Sequence, residues 1–121
     1  MGINSTEVSY SFGQLGSTFI NVYDNDIKPP VGKVFVAITF LEDTTFDTSG
    51  GLIADASNIA RGLQYVGTES AAHDLSPATV DEGSGGKQID DTVNFQAGLT
   101  IYGRWTTIDL KTGAIIAYIG D

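Results

Sequence analysis

The segment KVFVAITFLE (residues 33–42) constrains the fold more than any other part of the chain. Most of its consecutive positions are apolar, so a β-strand formed here carries apolar side chains on both faces. Such a strand is normally central in its sheet and is covered on both faces, either by the rest of the chain or by another protomer. We therefore predict that Phe35, Ile38 and Phe40 are core or interface residues.

Two further strand patterns precede this segment. EVSYSF (7–12) alternates polar and apolar residues, and STFINVY (17–23) is rich in β-branched and aromatic residues. DNDIKPPVG (24–32) is a predicted loop, because its prolines and Asx residues cannot sustain a ladder of backbone hydrogen bonds. DTTFDTSGG (43–51) ends the central strand, and Phe46 is expected to point inward from it.

The C-terminal segment LTIYGRWTTIDLKTGAIIAYIG (99–120) contains the only tryptophan of the chain. KTG (111–113) between two β-rich runs predicts a hairpin, with Gly113 in the left-handed position of a three-residue loop. The expected register pairs Leu110 with Ala114, Ile108 with Ile116, Thr106 with Tyr118 and Trp105 with Ile119. Both faces of such a hairpin carry apolar residues, which suits a core on one side and a second sheet or subunit on the other.

The aromatic residues of this segment allow two interpretations. Aromatic side chains in a β-hairpin are most often cross-strand core pairs, so Tyr102, Trp105, Ile116 and Tyr118 are predicted core or subunit-interface residues. In the alternative, Trp105 and Tyr102 form a solvent-facing platform on which a host glycan stacks.

The middle of the chain is less regular. GLIADASNIARGL (51–63) has apolar residues at helical spacing, which favours one or two helical turns. Its flanking glycines and its Asp, Ser and Asn residues disfavour a helix, so both possibilities stay open. QYVGT (64–68) has the composition of a short strand. Residues 69–91 are rich in Gly, Ser, Ala and Asp, and a loop of that length is usually functional or interface-forming.

These patterns predict an all-β fold. The chain has 121 residues, which is the size of a single domain, so residues 1–121 are expected to form one β-domain. The most suitable architecture is a β-sandwich or jelly-roll-like fold with long Gly/Ser/Asp-rich loops and at most one short helix.

Charge and cysteine content exclude several classes of partner. Six Lys and Arg against fifteen Asp and Glu give a formal net charge of −9, which disfavours nucleic acid and anionic membranes. The apolar runs are far shorter than the roughly 20 residues of a membrane helix. The chain has no cysteine, which removes disulfides and thiol chemistry and suits assembly in a reducing cytoplasm.

Residues suited to catalysis are few. His73 is the only histidine, and no nucleophile motif accompanies it. Acidic pairs such as Asp24/Asp26 lie in turn-like contexts where Asp commonly shapes the backbone, although a calcium site at that pair stays open. We predict that the protein is not an enzyme and has no catalytic residues, no metal site and no cofactor.

Four segments carry a resemblance to a known group: SYSFGQLGSTF (9–19), KVFVAITFLEDTTF (33–46), YVGTESAAHD (65–74) and FQAGLTIYGRWTTIDLKTGAIIAYIG (95–120). Together they resemble small virion structural proteins of marine tailed bacteriophages. The block from AGLTIYGRWT to IAYIG is the most specific part. The group often has Pro where this chain has Gln96, and no catalytic residues are attached to it.

The resemblance implies a capsid decoration, or cement, protein. Such a protein is assembled in the host cytoplasm, binds the outer capsid surface of the virion and stabilises the head. The implied partners are the major capsid protein and further copies of the chain, as a homotrimer. The alternative is a tail or fibre component, or a carbohydrate-binding adhesion module that contacts host glycans.

Overall fold

The computed structural model describes residues 15–55, 57, 65–69 and 89–121. Within these ranges the chain forms no helix and seven strands, which are β1 (Ser17–Ile20), β2 (Val34–Phe40), β3 (Thr45–Phe46), β4 (Leu52–Ala54), β5 (Thr100–Ile108), β6 (Leu110–Thr112) and β7 (Ile115–Gly120). All strand pairs are antiparallel. The predicted all-β fold class is confirmed.

β2 is the central strand of the larger sheet. That sheet has five strands in the order β1-β7-β2-β5-β4, so β2 pairs with β7 on one side and with β5 on the other. A bulge between Phe35 and Ala37 shifts the alternation by one residue. Phe35, Ile38 and Phe40 therefore all face the core, where each is completely buried. The central position predicted from the doubly apolar pattern is confirmed.

The predicted C-terminal hairpin is wrong. β5 and β7 do not pair with each other, because β2 lies between them, and since β2 is antiparallel to both, they run parallel to each other. After β5 the chain leaves the large sheet, forms β6 beside β3, and returns as β7. The insertion gives β2 a hydrogen-bonded neighbour on each side.

The smaller sheet, β3-β6, contributes to the same hydrophobic cluster. Phe46 of β3 is completely buried, as predicted, and its ring meets those of Phe40 and Phe95 at centroid distances of 6.0 and 5.5 Å. Gly113 has a φ of +96°, which confirms its left-handed conformation. A Cβ atom there would lie 2.2 Å from the Thr44 Oγ1, so the turn after β6 needs glycine.

The middle segments differ from their predictions. The start of segment 51–63, where one or two helical turns are possible from the sequence, forms strand β4 instead. Leu52 and Ala54 point toward the core, and β4 pairs with β5. Thr68 lies beside β4 without forming a strand: its N–H donates to the Leu52 carbonyl at 2.8 Å. β1 covers only the first part of the strand predicted over 17–23. The predicted strand at 7–12, and most of the segments 56–64 and 69–91, lie outside the described residues.

Candidate interaction surface

The strand register assigns side chains to the two faces of the five-stranded sheet, because residues directly opposite on neighbouring strands share a face. Ile115 pairs with Ile20 and with Phe40, and all three are buried. This face belongs to the hydrophobic core.

On the opposite face, eight residues form two rows that each cross four strands, and we call these eight residues the outer face. Their members are Phe19, Ile116, Thr39 and Thr100 in one row, and Ser17, Tyr118, Ala37 and Tyr102 in the other. Each row runs in the order β1, β7, β2, β5. The pairing of β2 with both β5 and β7 assembles these residues, so the outer face depends on the insertion of β2.

The outer face is apolar and aromatic, and part of it is open to solvent. Phe19 is 59% exposed and Tyr102 is 65% exposed, although both are large hydrophobic side chains. Ile116 and Tyr118 are half-buried. Ala37, between the two tyrosines, is only 2% exposed. In the other row, the Thr39 and Thr100 hydroxyl groups form a hydrogen bond of 3.0 Å with each other.

None of the eight outer-face side chains is charged. The nearest charged side chain along β5 is Arg104, two residues beyond Tyr102. The Arg104 Nε donates a hydrogen bond to the Asp55 Oδ2 at 3.1 Å, and its Nη1 donates to the Asp121 carbonyl at 2.6 Å. Lys33 forms an ion pair with the Asp121 carboxylate. Burial raises the pKa of Asp55, but hydrogen bonds from Ser57 and Arg104 outweigh burial and hold the pKa below its usual value. These neutralising pairs border an uncharged surface in a chain of net charge −9.

The structure divides the predicted core or interface residues between the two faces. Four of them lie in the core: Phe35, Ile38, Phe40 and Trp105. The other three lie on the outer face: Tyr102, Ile116 and Tyr118.

Trp105 and Tyr102 therefore cannot form one stacking platform. Trp105 is completely buried, pairs with Phe35 and donates its Nε1–H to the Val66 carbonyl at 2.7 Å. Its ring also lies over Gly103, where a Cβ atom would be 2.8 Å from Cζ2. Tyr102 is on the other side of the sheet.

Sequence reasoning missed Phe19 as a surface residue. The composition of STFINVY (17–23) predicts a strand but does not by itself say which face Phe19 occupies. The alternation of the segment carried the signal, because Ile20 is buried and Phe19, its neighbour, must then face away from the core.

A second polar feature is the acidic cluster around Asp109, where the chain leaves β5. The Asp109 Oδ1 accepts a hydrogen bond from the Asn25 N–H at 3.1 Å, its backbone N–H donates to the Gly51 carbonyl at 2.8 Å, and its carbonyl accepts from the Asp47 N–H at 3.1 Å. Burial raises the pKa of the Asp109 carboxyl, and the neighbouring Asp47 and Asp26 carboxylates raise it further.

The Asp24/Asp26 pair lies in the chain segment next to this cluster. Asp24 has a left-handed φ of 60° and lies in a bend of the chain. Among the described residues, no group of three or more His, Cys, Asp or Glu side chains is arranged to hold a metal ion. His73 lies outside the described residues.

The part of the chain that the structure describes contains no helix long and apolar enough to cross a membrane. In comparisons with protein-family models, curated proteins and solved structures, no match to the chain is found.

Proposed function

We propose that the chain is a virion structural protein of a tailed bacteriophage and that it acts as a capsid decoration protein. It binds the outer surface of the head, stabilises the shell and has no catalytic activity. Its partners are the major capsid protein and further copies of itself. Assembly takes place in the host cytoplasm.

The observation that carries a binding function is the outer face. Tyrosine and phenylalanine are enriched at protein interfaces, and charged residues are depleted at interface centres. The outer face has this composition, with Phe19, Tyr102 and Tyr118 among eight uncharged side chains. Area buried on such a surface across subunit junctions would stabilise a capsid lattice. The assignment to a phage head is supported by the resemblance of the four sequence segments quoted above.

The alternative, a tail or fibre component that contacts host glycans, is weakened by the burial of Trp105. A sugar-stacking platform would retain only Tyr102 of the two rings. We therefore favour contact with protein surfaces over contact with carbohydrate.

Quantitative mass spectrometry of purified particles tests the decoration role. We expect the chain to be present at a copy number comparable with that of the major capsid protein and to remain on heads separated from tails. A copy number far below that of the capsid protein, with the chain found only on tails, would overturn the assignment.

A further inference from the structure

We propose that residues 65–68, which we call the edge guard, close the outer side of strand β4 against strand addition by a second copy of this chain. A strand at the edge of a sheet carries backbone N–H and C=O groups that can template pairing with another chain. β4 is such a strand, because it is the last in the order β1-β7-β2-β5-β4. This role of the edge guard is independent of the proposed decoration of a capsid.

The backbone of β4 directs the polar groups of Leu52 away from its neighbour β5. The Gly51 carbonyl accepts a hydrogen bond at 2.8 Å from the N–H of Asp109, the residue that directly follows β5. The Gly51 carbonyl therefore points toward the β5 side. Successive residues of an antiparallel strand point their backbone groups to opposite sides, so the N–H and C=O of Leu52 point outward. These are the groups that an added strand would bind.

Thr68 occupies both of these groups without belonging to a strand. Its N–H donates to the Leu52 carbonyl at 2.8 Å, and its Oγ1 accepts from the Leu52 N–H at 3.1 Å. The hydroxyl also donates to the Leu52 carbonyl at 3.2 Å. In a β-ladder the acceptor would be a backbone carbonyl. Here a side-chain hydroxyl takes its place, at a residue where the chain bends.

The edge guard is fastened to the domain at the two residues before Thr68. The Val66 carbonyl accepts from the Trp105 Nε1–H at 2.7 Å, and the Gly67 carbonyl accepts from the Ile89 N–H at 3.0 Å. Thr68 is only 2% exposed and Trp105 is completely buried. Opening such bonds singly leaves buried polar groups unpaired, which is costly. The edge guard is thus held closed in the folded chain.

A second copy is the partner that an uncovered β4 would accept. β4 has the sequence Leu-Ile-Ala, so its three side chains are uncharged in a chain of net charge −9. Two β4 edges can pair antiparallel about a two-fold axis, because the same residues then serve on both sides. Ile53, the middle residue of β4, lies opposite its own counterpart in that pairing. Main-chain hydrogen bonds supply the affinity in strand addition.

Thr68→Pro opens the edge guard, because proline has neither the N–H nor the hydroxyl that Leu52 uses. Thr68→Ser is the matched control and keeps both groups. In sedimentation equilibrium of the full chain, we expect Thr68→Pro to associate at least about tenfold more strongly than wild type, since pairing regains the hydrogen bonds that the guard supplied. Thr68→Ser should associate as wild type does.

A single cysteine locates the contact, since the chain has none of its own. Ile53→Cys/Thr68→Pro should form a disulfide-linked dimer on mild oxidation, because directly opposite residues of antiparallel strands lie within disulfide range. Ile53→Cys alone, with the edge guard closed, should stay largely unlinked. Intact-mass measurement under non-reducing conditions reports both.

Thr68→Val decides the matter if the proline variant does not fold. Valine has nearly the shape of threonine but no hydroxyl, so the Leu52 N–H loses its acceptor. We expect amide exchange at Leu52, followed by NMR, to be at least about tenfold faster than in wild type. Exchange at Ile53 should be unchanged, because its N–H is directed at β5, where Ile53 pairs with Thr107.

Three results would overturn the role of the edge guard. They are a folded Thr68→Pro variant with wild-type association, equal cross-linking of Ile53→Cys with the guard open and closed, and unchanged Leu52 exchange in Thr68→Val. None of them bears on whether the chain is bound to phage heads, which is decided by the copy number in particles.

Discussion

At the scale of single residues, the spacing of Tyr102 and Trp105 decides what each can do. Residues three apart in a regular strand point to opposite faces of the sheet. The sequence therefore contained the information that separates these rings, although their proximity along the chain suggested a shared platform. Trp105 pairs with Phe35 in the core, and Tyr102 pairs with Ala37 on the outer face.

The two aromatic residues should respond differently to truncation. Trp105→Ala removes a fully buried ring and leaves the Val66 carbonyl without its donor, so we expect a loss of about 3–5 kcal/mol in the free energy of unfolding. Tyr102→Ala, at a 65% exposed site, should cost clearly less than Trp105→Ala, because it removes less buried surface. Urea denaturation followed by circular dichroism measures both. Similar costs for the two variants would contradict the assignment of the rings to opposite faces.

The carboxyl group of Asp109 should make the fold less stable as the pH rises. Its pKa in the folded state is raised, first by burial and then by Asp47, so the folded chain binds this proton more tightly than the unfolded chain. The stabilisation is complete below the pKa of the unfolded state and is lost as the pH rises through the pKa of the folded state. Asp109→Asn keeps an oxygen acceptor for the Asn25 N–H and should raise the Tm at pH 7.

Asp91→Asn is the matched control for this variant. The Asp91 pKa is lowered, mainly by a hydrogen bond from Lys111, so its charged form is favoured in the folded state. Neutralising it should therefore not raise the Tm at pH 7. If the Tm of Asp109→Asn at pH 7 is no higher than that of Asp91→Asn, the charge of Asp109 does not destabilise the folded state.

At the scale of elements, local pattern predicted β2 well and the C-terminal pairing badly. The doubly apolar run of β2 requires cover on both faces wherever it pairs, so its central place followed from its own residues. The hairpin prediction considered only β5, β7 and the turn between them. The competing partner, β2, lies some sixty residues earlier in the chain, and a turn motif carries no information about it.

Engineered cysteines distinguish the two pairings, since the chain has none of its own. Thr39 and Ile116 are directly opposite on neighbouring strands, so a Thr39→Cys/Ile116→Cys variant should form a disulfide on mild oxidation. Thr106→Cys/Tyr118→Cys pairs the residues that a hairpin would join. In the observed fold β2 separates β5 from β7 by two strand spacings, about 9.6 Å, so the second disulfide should not form.

Thiol titration and intact-mass measurement under non-denaturing conditions report both bridges. Formation of the 106–118 bridge in the folded protein, with the 39–116 bridge absent, would restore the hairpin and remove the rows that define the outer face.

At the scale of the whole molecule, composition and pattern predict more about the core than about the surface. The all-β class follows from apolar periodicity, because burial is enforced along each strand. The inward position of Phe46 was expected because it is the large apolar residue of a polar segment. The outer face could not be predicted in this way. Its rows come from four strands, and only their register brings Phe19 of β1 and Tyr102 of β5 onto one surface.

The distribution of charge also belongs to this scale. A net charge of −9 keeps separate molecules apart, while eight neutral side chains share one face of the sheet. The uncharged outer face and the charged groups that border it are thus distinct parts of the described surface.

Cryo-electron microscopy of intact particles at side-chain resolution tests the proposed function most directly. We expect density for this β-domain on the outside of the head, with Phe19 and Tyr102 covered by contact with the capsid protein or with a neighbouring copy. Density for the domain on the tail alone, or on the head with the outer face turned to solvent, would contradict the proposal.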